Sequence, residues 1–367
     1  NKTITALAII MASFAANASV LPETPVPFKS GTGAIDNDTV YIGLGSAGTA
    51  WYKLDTQAKD KKWKALAAFP GGPRDQATSA FIDGNLYVFG GIGKNSEGLT
   101  QVFNDVHKYN PKTNSWVKLM SHAPVGMAGH VTFVHNGKAY VTGGVNQNIF
   151  NGYFEDLNEA GKDQTAVDKI NAHYFDKKAE DYFFNKFLLS FDPSTQQWSY
   201  AGESAWYGTA GAAVVNKGDK TWLINGEAKP GLRTDAVFEL DFTGNNLKWN
   251  KLAPVSSPDG VAGGFAGMSN DSLIFAGGAG FKGSRENYQN GKNYAHEGLK
   301  KSYSTDIHLW HNGKWDKSGE LSQGRAYGVS LPWNNSLLII GGETAGGKAV
   351  TDSVLITVKD NKVTVQN

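Results

Sequence analysis

The residues best suited to do chemistry are a glutamate and an arginine within one short, glycine-containing stretch. The stretch at positions 225–233 reads NGEAKPGLR, and it supplies Glu227 and Arg233. A carboxylate can remove a proton as a general base, and a guanidinium can hold an anion through paired hydrogen bonds. Glu227 and Arg233 are therefore predicted to be a general base beside an anion-binding group.

Arginine is scarce in this chain, so its positions carry information. Of the 35 Lys and Arg residues, only four are arginine, at positions 74, 233, 285 and 325. The planar guanidinium recognises carboxylate or phosphate through two parallel hydrogen bonds, which an ammonium group cannot do. We therefore predict that Arg74, Arg285 and Arg325 help to bind a small anionic ligand. For Arg74 and Arg325, packing within the fold is the alternative interpretation.

A second carboxylate occupies a comparable place in the chain. Glu343 follows the pair Gly341-Gly342 in the way that Glu227 follows Asn225-Gly226. We predict that Glu343 is a substrate-binding residue at the same rim, and a structural salt bridge is the alternative. If Glu227 is not the base, Glu343 is the next candidate.

Other kinds of site find little support in the sequence. The chain has no Cys, so disulfides, thiol catalysis and thiolate metal sites are excluded. His130, His173 and His296 are too scattered along the chain to nominate a metal or catalytic centre. No glycine-rich loop precedes a helical pattern in the way that nucleotide binding requires. We therefore predict that the protein uses no metal and no cofactor.

A strand that ends in a glycine pair recurs along the chain and determines the predicted architecture. The clearest copy is LYVFGG at 86–91, and five closer or looser copies end near positions 45, 144, 226, 278 and 342. Each unit continues through two further strands, and the last of these carries a tryptophan in five units, at Trp63, Trp116, Trp198, Trp249 and Trp315. The pattern predicts six four-stranded antiparallel meanders that stack into a closed ring.

These features together resemble the kelch repeat over about residues 30–367. The resemblance implies an all-β, six-bladed kelch propeller, in which the glycine pairs and tryptophans are structural. The pattern leaves open which segment supplies the last strand of the sixth blade, because the C-terminal segment 362–367 has no tryptophan. Either that segment or the stretch 26–29 is expected to complete it.

Two long insertions and the alternating direction of the strands indicate on which face of the ring the polar residues lie. Long segments at about 146–186 and 279–302 separate the second and third strands of two blades, and the first contains a helix-like stretch at 165–172. Strands of a meander alternate in direction, so loops after second strands and loops before first strands leave the ring on one face. All four arginines map to that face, where long loops are expected to shape a site.

The N-terminus has the pattern of a secretory signal peptide. Lys2 precedes an apolar run at 4–15, and Ala16-Asn17-Ala18 matches a cleavage site before Ser19. A membrane anchor is the weaker alternative, because the run is too short to span a bilayer. We predict removal of residues 1–18, export to a bacterial periplasm and one propeller domain over 19–367. A net charge of +1 indicates neither nucleic acid nor a membrane surface as the partner.

From the signal-like segment to Arg233, the chain resembles the bacterial periplasmic N-acetylneuraminate epimerases, also called sialic acid mutarotases. The resemblance implies that the protein interconverts the α and β anomers of free N-acetylneuraminate, with Glu227 as the base and Arg233 as its partner. A non-enzymatic propeller that binds an acidic sugar or a protein is the alternative. The sequence leaves open whether the chain forms a homodimer.

Overall fold

The structure is a computed structural model, and it describes residues 19–206, 208–257 and 259–367. Its framework is six four-stranded antiparallel sheets, and in each sheet the four strands pair in the order in which they occur along the chain. The predicted six-bladed, all-β propeller is therefore confirmed. The predicted signal peptide, residues 1–18, lies outside the described residues.

The six blades follow one another in chain order, and each is defined by four strands. Blade 1 contains β1 (Thr32–Asp36), β2 (Thr39–Gly43), β3 (Trp51–Asp55) and β4 (Lys64–Ala65). Blade 2 contains β5 (Thr78–Ile82), β6 (Asn85–Lys94), β7 (Thr100–Asn110) and β8 (Ser115–His122). Blade 3 contains β9 (His130–His135), β10 (Lys138–Gly143), β11 (Phe187–Asp192) and β12 (Gln197–Glu203).

The other three blades each carry an additional two-stranded ribbon between their second and third strands. Blade 4 contains β13 (Ala213–Lys217), β14 (Lys220–Ile224), the ribbon β15 (Glu227–Lys229) and β16 (Leu232–Arg233), then β17 (Val237–Asp241) and β18 (Lys248–Leu252). Blade 5 contains β19 (Phe265–Ser269), β20 (Ser272–Ala276), the ribbon β21 (Ala279–Phe281) and β22 (Lys301–Tyr303), then β23 (Asp306–His311) and β24 (Lys314–Glu320). Blade 6 contains β25 (Val329–Trp333), β26 (Ser336–Ile340), the ribbon β27 (Glu343–Thr344) and β28 (Lys348–Ala349), then β29 (Ser353–Lys359) and β30 (Lys362–Gln366).

Apolar side chains bury the faces of neighbouring blades against each other. Between blades 1 and 2, for example, the Trp116 ring lies 5.4 Å from the Trp51 ring and 5.2 Å from the Phe69 ring. Blade 6 has no tryptophan at this place, and Val363 and Val365 of β30 pack against the blade 5–6 cluster instead. Burial of both faces explains why four-stranded meanders, which are marginal alone, are stable as a ring.

The blades are joined near the axis by hydrogen bonds from the repeated glycines. The second glycine of each pair, or its equivalent, donates its N–H to the residue that leads into the next blade. The six bonds measure 2.7–2.9 Å and run from Gly45 to Arg74, Gly91 to Met127, Gly144 to Thr209, Gly226 to Val261, Gly278 to Arg325 and Gly342 to Phe28. The glycine pairs therefore recur for two reasons: they make contact with the next blade, and glycine has the freedom of backbone conformation that this place needs.

An inner set of backbone bonds encircles the axis. One residue per blade, just before the first strand, has a left-handed backbone with φ between 57° and 73°: Ser30, Gln76, Gly129, Gly211, Gly263 and Tyr327. Five bonds of 2.8–2.9 Å link them, from Ser30 to Tyr327, Tyr327 to Gly263, Gly263 to Gly211, Gly211 to Gly129 and Gln76 to Ser30. We call these six residues the axial ring.

Both chain ends contribute to ring closure, in different ways. The C-terminal strand β30 pairs with β29 and is the fourth strand of blade 6. The N-terminal stretch instead leads into blade 1, and Phe28 accepts the hydrogen bond from Gly342 and forms a bridge with Val350. Of the two alternatives for the last blade, the structure therefore has the C-terminal segment.

Helices occur in the two long insertions. The blade 3 insertion forms α1 (Gln147–Ala160) and α2 (Gln164–Phe175), and the blade 5 insertion forms α3 (Ser284–Gln289). The side chains of Asn146 and Asp163 cap α1 and α2 by accepting hydrogen bonds from first-turn N–H groups. The helix-like stretch at 165–172 is confirmed, whereas α1 was not predicted. In the parts of the chain that the structure describes, no helix is long and apolar enough to cross a membrane.

Candidate active site

The glutamate and arginine singled out in the sequence face each other across the blade 4 ribbon. Glu227 in β15 pairs with Arg233 in β16, and Pro230 and Gly231 turn the chain between the two strands. The Arg233 Nη1 atom donates to the Glu227 Oε2 atom at 2.7 Å. The tight ribbon thus converts a separation in sequence into a direct ion pair.

Arg233 is fixed by groups from three blades. Besides Glu227 of blade 4, its Nε donates to the Ala279 carbonyl of blade 5 at 3.2 Å, and its Nη2 donates to the Tyr327 hydroxyl at 3.1 Å. The Arg233 side chain is 4% exposed, and the Phe281 ring lies 5.0 Å from the guanidinium carbon. Burial opposes its charge, but Glu227 and Tyr327 more than compensate, so the pKa of Arg233 is raised. The guanidinium is a rigid, permanently charged centre.

Glu227 keeps access to solvent while it is held by Arg233. Its side chain is 22% exposed. Among the described residues, its hydrogen bonds fall on Oε2, from Arg233 and from the Gly231 N–H at 3.3 Å. The other oxygen, Oε1, is therefore the atom that can take a proton from a bound molecule.

Glu343 occupies the equivalent place in blade 6 but has different partners. The Lys29 ammonium donates to its Oε2 and the Lys301 ammonium to its Oε1, both at 3.0 Å, and the Tyr303 hydroxyl donates to Oε1 as well. Desolvation alone would raise the pKa of Glu343, but these three donors lower it to about 2. A carboxylate this strongly held is a poor base, so the contacts favour Glu227 for that role.

The three ribbons bring the polar residues together on one face. Lys301 and Tyr303 lie on β22 of blade 5, between the Glu227–Arg233 pair of blade 4 and Glu343 of blade 6. The Lys301 ammonium lies 4.8 Å from the centre of the Tyr327 ring, which connects the two ion-pair groups. Lys29, Lys301, Tyr303 and Tyr327 were not singled out in the sequence, because only folding brings them to this face.

The two insertions form an aromatic wall beside the ribbon of blade 4. Tyr174 and Phe175 of α2 approach Tyr294 and His296 of the blade 5 insertion, and the Phe175 ring lies 5.0 Å from Tyr294 and 5.1 Å from His296. Burial, with Arg233 and Lys229 nearby, lowers the pKa of His296 to about 4. His296 is therefore neutral at neutral pH.

Two contacts tie the insertions to the ribbon. Lys229 of β15 is fully buried, and its ammonium donates to backbone carbonyls of Phe175, Lys177 and Asn293. Gly231 lies directly against His296, so that a Cβ at this position would fall 1.9 Å from the imidazole Nδ1. Glycine is thus required at 231 by the close approach of the blade 5 insertion.

The other arginines are engaged within the framework. Arg74 is 3% exposed and holds Asp105 through bonds of 2.5 and 2.8 Å, and Arg325 is 1% exposed and holds Asp352 through bonds of 2.9 and 3.1 Å. Arg285 forms a half-exposed pair with Asp235 at 3.1 Å. The structure joins Arg233 to Glu227, whereas these contacts of Arg74 and Arg325 support the packing interpretation. Substrate binding by Arg74, Arg285 and Arg325 stays a prediction.

Two cavities differ in their suitability for an anionic ligand. A cavity of about 560 Å³ is lined by Lys282, Lys300, Lys301 and Tyr303, together with Ser302, Gln323, Gly324 and Ala345. A larger cavity, of about 730 Å³, is lined by residues 124–126, 145–148, 180–181 and 183–187 and by Glu203. It shares no residue with the ribbon of blade 4. Across the described ranges, no group of three or more His, Cys, Asp or Glu is placed to hold a metal ion.

Comparison with known proteins identifies close relatives. The family model described as N-acetylneuraminate epimerase matches residues 21–365. N-acetylneuraminate epimerase of Escherichia coli (strain K12) is 98% identical over 367 residues, which are 100% of both chains. The protein of the same name from Shigella boydii serotype 4 (strain Sb227) is 97% identical over the same lengths. A solved structure called "Structure of YjhT" has a TM-score of 0.94 and 98% identity, over 95% of this chain and 100% of that one.

The environments of the arginines lead to a first prediction. Replacing Arg74 with methionine leaves Asp105, which is 5% exposed, as a buried charge without its partner. The free energy of unfolding should fall by about 3–5 kcal/mol. Arg285→Met is the matched control and should cost less than about 1 kcal/mol, because its ion pair is half exposed. Urea denaturation measures both, and equal small losses would contradict the packing interpretation of Arg74.

The environment of Glu343 leads to a prediction about pH. Its pKa is lowered from 4.5 to about 2 in the folded protein, so the ionised form adds about 3 kcal/mol of stability above pH 4.5. This contribution is lost as the pH falls from about 4.5 towards 2. Glu343→Gln should therefore be less stable than wild type at pH 7, and the difference should shrink at pH 3 in urea denaturation. The exposed Glu97→Gln control should show no such convergence, and a constant difference for Glu343→Gln would contradict the assignment.

Proposed function

This chain belongs to the N-acetylneuraminate epimerase family of isomerases, and we propose that it interconverts the α and β anomers of free N-acetylneuraminate, with Glu227 as general base. The observation that carries the proposal is the ion pair between Glu227 and Arg233, in which the arginine is buried and the glutamate remains accessible. Membership of an isomerase family favours this reading over a non-enzymatic binding propeller.

The chemistry needs a base that can work without a metal or an organic cofactor. The two anomers exchange when the sugar ring opens to a ketone and closes on the other face of the carbonyl. Opening requires removal of the proton from the anomeric hydroxyl while the ring oxygen gains one. Glu227 Oε1 is suited to the first transfer, because Arg233 holds the carboxylate through its other oxygen, Oε2.

The substrate also carries a carboxylate on its anomeric carbon, and it needs a cationic partner. Arg233 is 4% exposed, and each of its three nitrogens already donates to the protein. The two lysines on Glu343 are more accessible, at 33% for Lys301 and 29% for Lys29, and they exceed the single carboxylate by one positive charge. We propose that Lys301, at the edge of the lysine-lined cavity, binds the substrate carboxylate while Arg233 orients the base.

We also propose that the protein acts in the periplasm after residues 1–18 are removed, as the N-terminal sequence predicts. Osmotic shock of bacteria that produce the whole chain should release a protein that begins at Ser19. A variant that lacks residues 1–18 should stay with the cytoplasmic fraction. Recovery of the whole chain, uncleaved, in the cytoplasm would contradict this proposal.

The catalytic proposal is tested by following fresh α-N-acetylneuraminate with proton NMR. The wild-type protein should bring the anomers to equilibrium faster than buffer alone, and Glu227→Gln should lower the catalysed rate about 10²–10⁴-fold while the protein still binds the sugar. Glu97→Gln, which changes an exposed glutamate of blade 2, should act as the wild type. No acceleration by the wild type would overturn the proposed activity, and full activity of Glu227→Gln would overturn the assignment of the base.

A further inference from the structure

Tyr327 is held in an unusual backbone conformation at the edge of the site. It is one of the axial-ring residues, with φ of 58°, a region that bulky side chains rarely adopt. Such conformations are energetically unfavourable and persist where the surroundings enforce them, often at functional sites. Three of the six ring positions are glycine, whereas position 327 has an aromatic residue in a conformation that glycine adopts more easily.

The Tyr327 ring extends over the residue that leads into the neighbouring blade. The ring lies over Gly263, where an added Cβ would fall 2.6 Å from the Tyr327 Cδ1 atom. Beyond Gly263, which leads into blade 5, the hydroxyl reaches Arg233 of blade 4 at 3.1 Å. A residue that leads into blade 6 thus places its phenol next to the base of blade 4.

Arg233 holds the proposed base and this phenol on its two terminal nitrogens. Nη1 donates to Glu227 Oε2 at 2.7 Å and Nη2 donates to the Tyr327 oxygen at 3.1 Å. Because the phenol oxygen accepts in this contact, its own proton remains to be donated elsewhere. Tyr327, taken as a whole residue, is partly exposed.

We propose that Tyr327 is the catalytic acid that protonates the ring oxygen while Glu227 removes the proton from the anomeric hydroxyl. This inference rests on the proposed anomer exchange. In the opening step, the anomeric O–H bond breaks towards Glu227 and the carbonyl double bond forms. The bond from the anomeric carbon to the ring oxygen breaks, and that oxygen takes its proton from Tyr327. Closure on the other carbonyl face reverses each transfer, so the two residues regain their starting forms.

The shared guanidinium stabilises the negative charge both before and after the proton transfers. Before opening, the negative charge is on the Glu227 carboxylate, and after opening it is on the Tyr327 phenolate. Arg233 contacts both oxygens, so the positive charge has a negative partner at either stage. Burial raises the pKa of Tyr327 while Arg233 lowers it, and the net effect is a raised pKa, so the phenol carries its proton at neutral pH.

Neighbouring groups are less suited to donate the second proton. The Tyr303 hydroxyl donates to Glu343, where its proton is engaged. Burial, with Arg233 and Lys229 nearby, lowers the pKa of His296 to about 4, so little imidazolium exists at neutral pH. Tyr174 of α2 feels the charge of Glu227, which adds to burial in raising its pKa, but Arg233 does not hold it. Tyr174 is therefore the rival that the experiment must distinguish.

The experiment measures anomer exchange by NMR with the full chain and four variants. Tyr327→Phe should lower the catalysed rate about 10²–10⁴-fold without loss of N-acetylneuraminate binding, and Tyr174→Phe should lower it less. Tyr52→Phe, in blade 1, is the matched control and should match the wild type. Glu227→Gln reports on the proposed function itself. Wild-type acceleration that Glu227→Gln loses but Tyr327→Phe keeps would overturn this inference alone.

A second measurement distinguishes a proton donor from a phenol that only packs. It does not depend on the folding of Tyr327→Phe. Placing 3,5-difluorotyrosine at position 327 keeps the shape of the ring and lowers the pKa of the phenol. If Tyr327 is the acid, the high-pH limb of the pH–rate profile should move to lower pH. An unmoved limb with normal activity would overturn the proposal.

Discussion

The structure depends on the axial ring, in which six left-handed residues, one per blade, are linked by five backbone hydrogen bonds. Left-handed backbone is the geometric requirement, since it turns the incoming chain so that its N–H and C=O groups face the adjacent blades. Glycine meets this requirement without strain, and it does so at Gly129, Gly211 and Gly263. The outer bonds from the glycine pairs repeat the same connection one layer further from the axis. Together they fix the face of the ring on which the three ribbons stand.

Departures from the repeat are therefore where chemistry can be added. Asn225 replaces the first glycine of its pair with φ of 59°, which asparagine tolerates, and its side chain accepts the Val261 N–H at 3.2 Å. The exchange keeps the backbone geometry of blade 4 and adds a bond to the loop that leads into blade 5. The next residues form the ribbon that carries Glu227 and Arg233. The same reasoning applies to Tyr327, where the strain of an aromatic residue is offset by contacts with Arg233 and Lys301.

Much of this could be predicted from the sequence, and the limit is physical. Repeats, turn glycines and tryptophans report on contacts that recur in every blade, so they predict the fold. Glu227 and Arg233 could be paired because they lie on one short ribbon. Tyr327, Lys301 and Lys29 come from different blades, and no local pattern marks their approach to the site. Asp105 and Asp352 lie 31 and 27 residues along the chain from Arg74 and Arg325, so no local pattern marked them as the partners of those arginines.

Two glutamates at equivalent places show how surroundings decide the role of a carboxylate. Glu227 faces one guanidinium and keeps an oxygen for a substrate, whereas Glu343 faces two ammonium groups and a phenol, which lower its pKa to about 2. Each extra donor stabilises the ionised form and so weakens the carboxylate as a base. Glu343 instead holds the ammonium groups of Lys29 and Lys301 close to each other, and these two lysines carry one positive charge more than the single carboxylate. The two glutamates, at equivalent places in blades 4 and 6, thus differ in the number of side-chain donors that surround them.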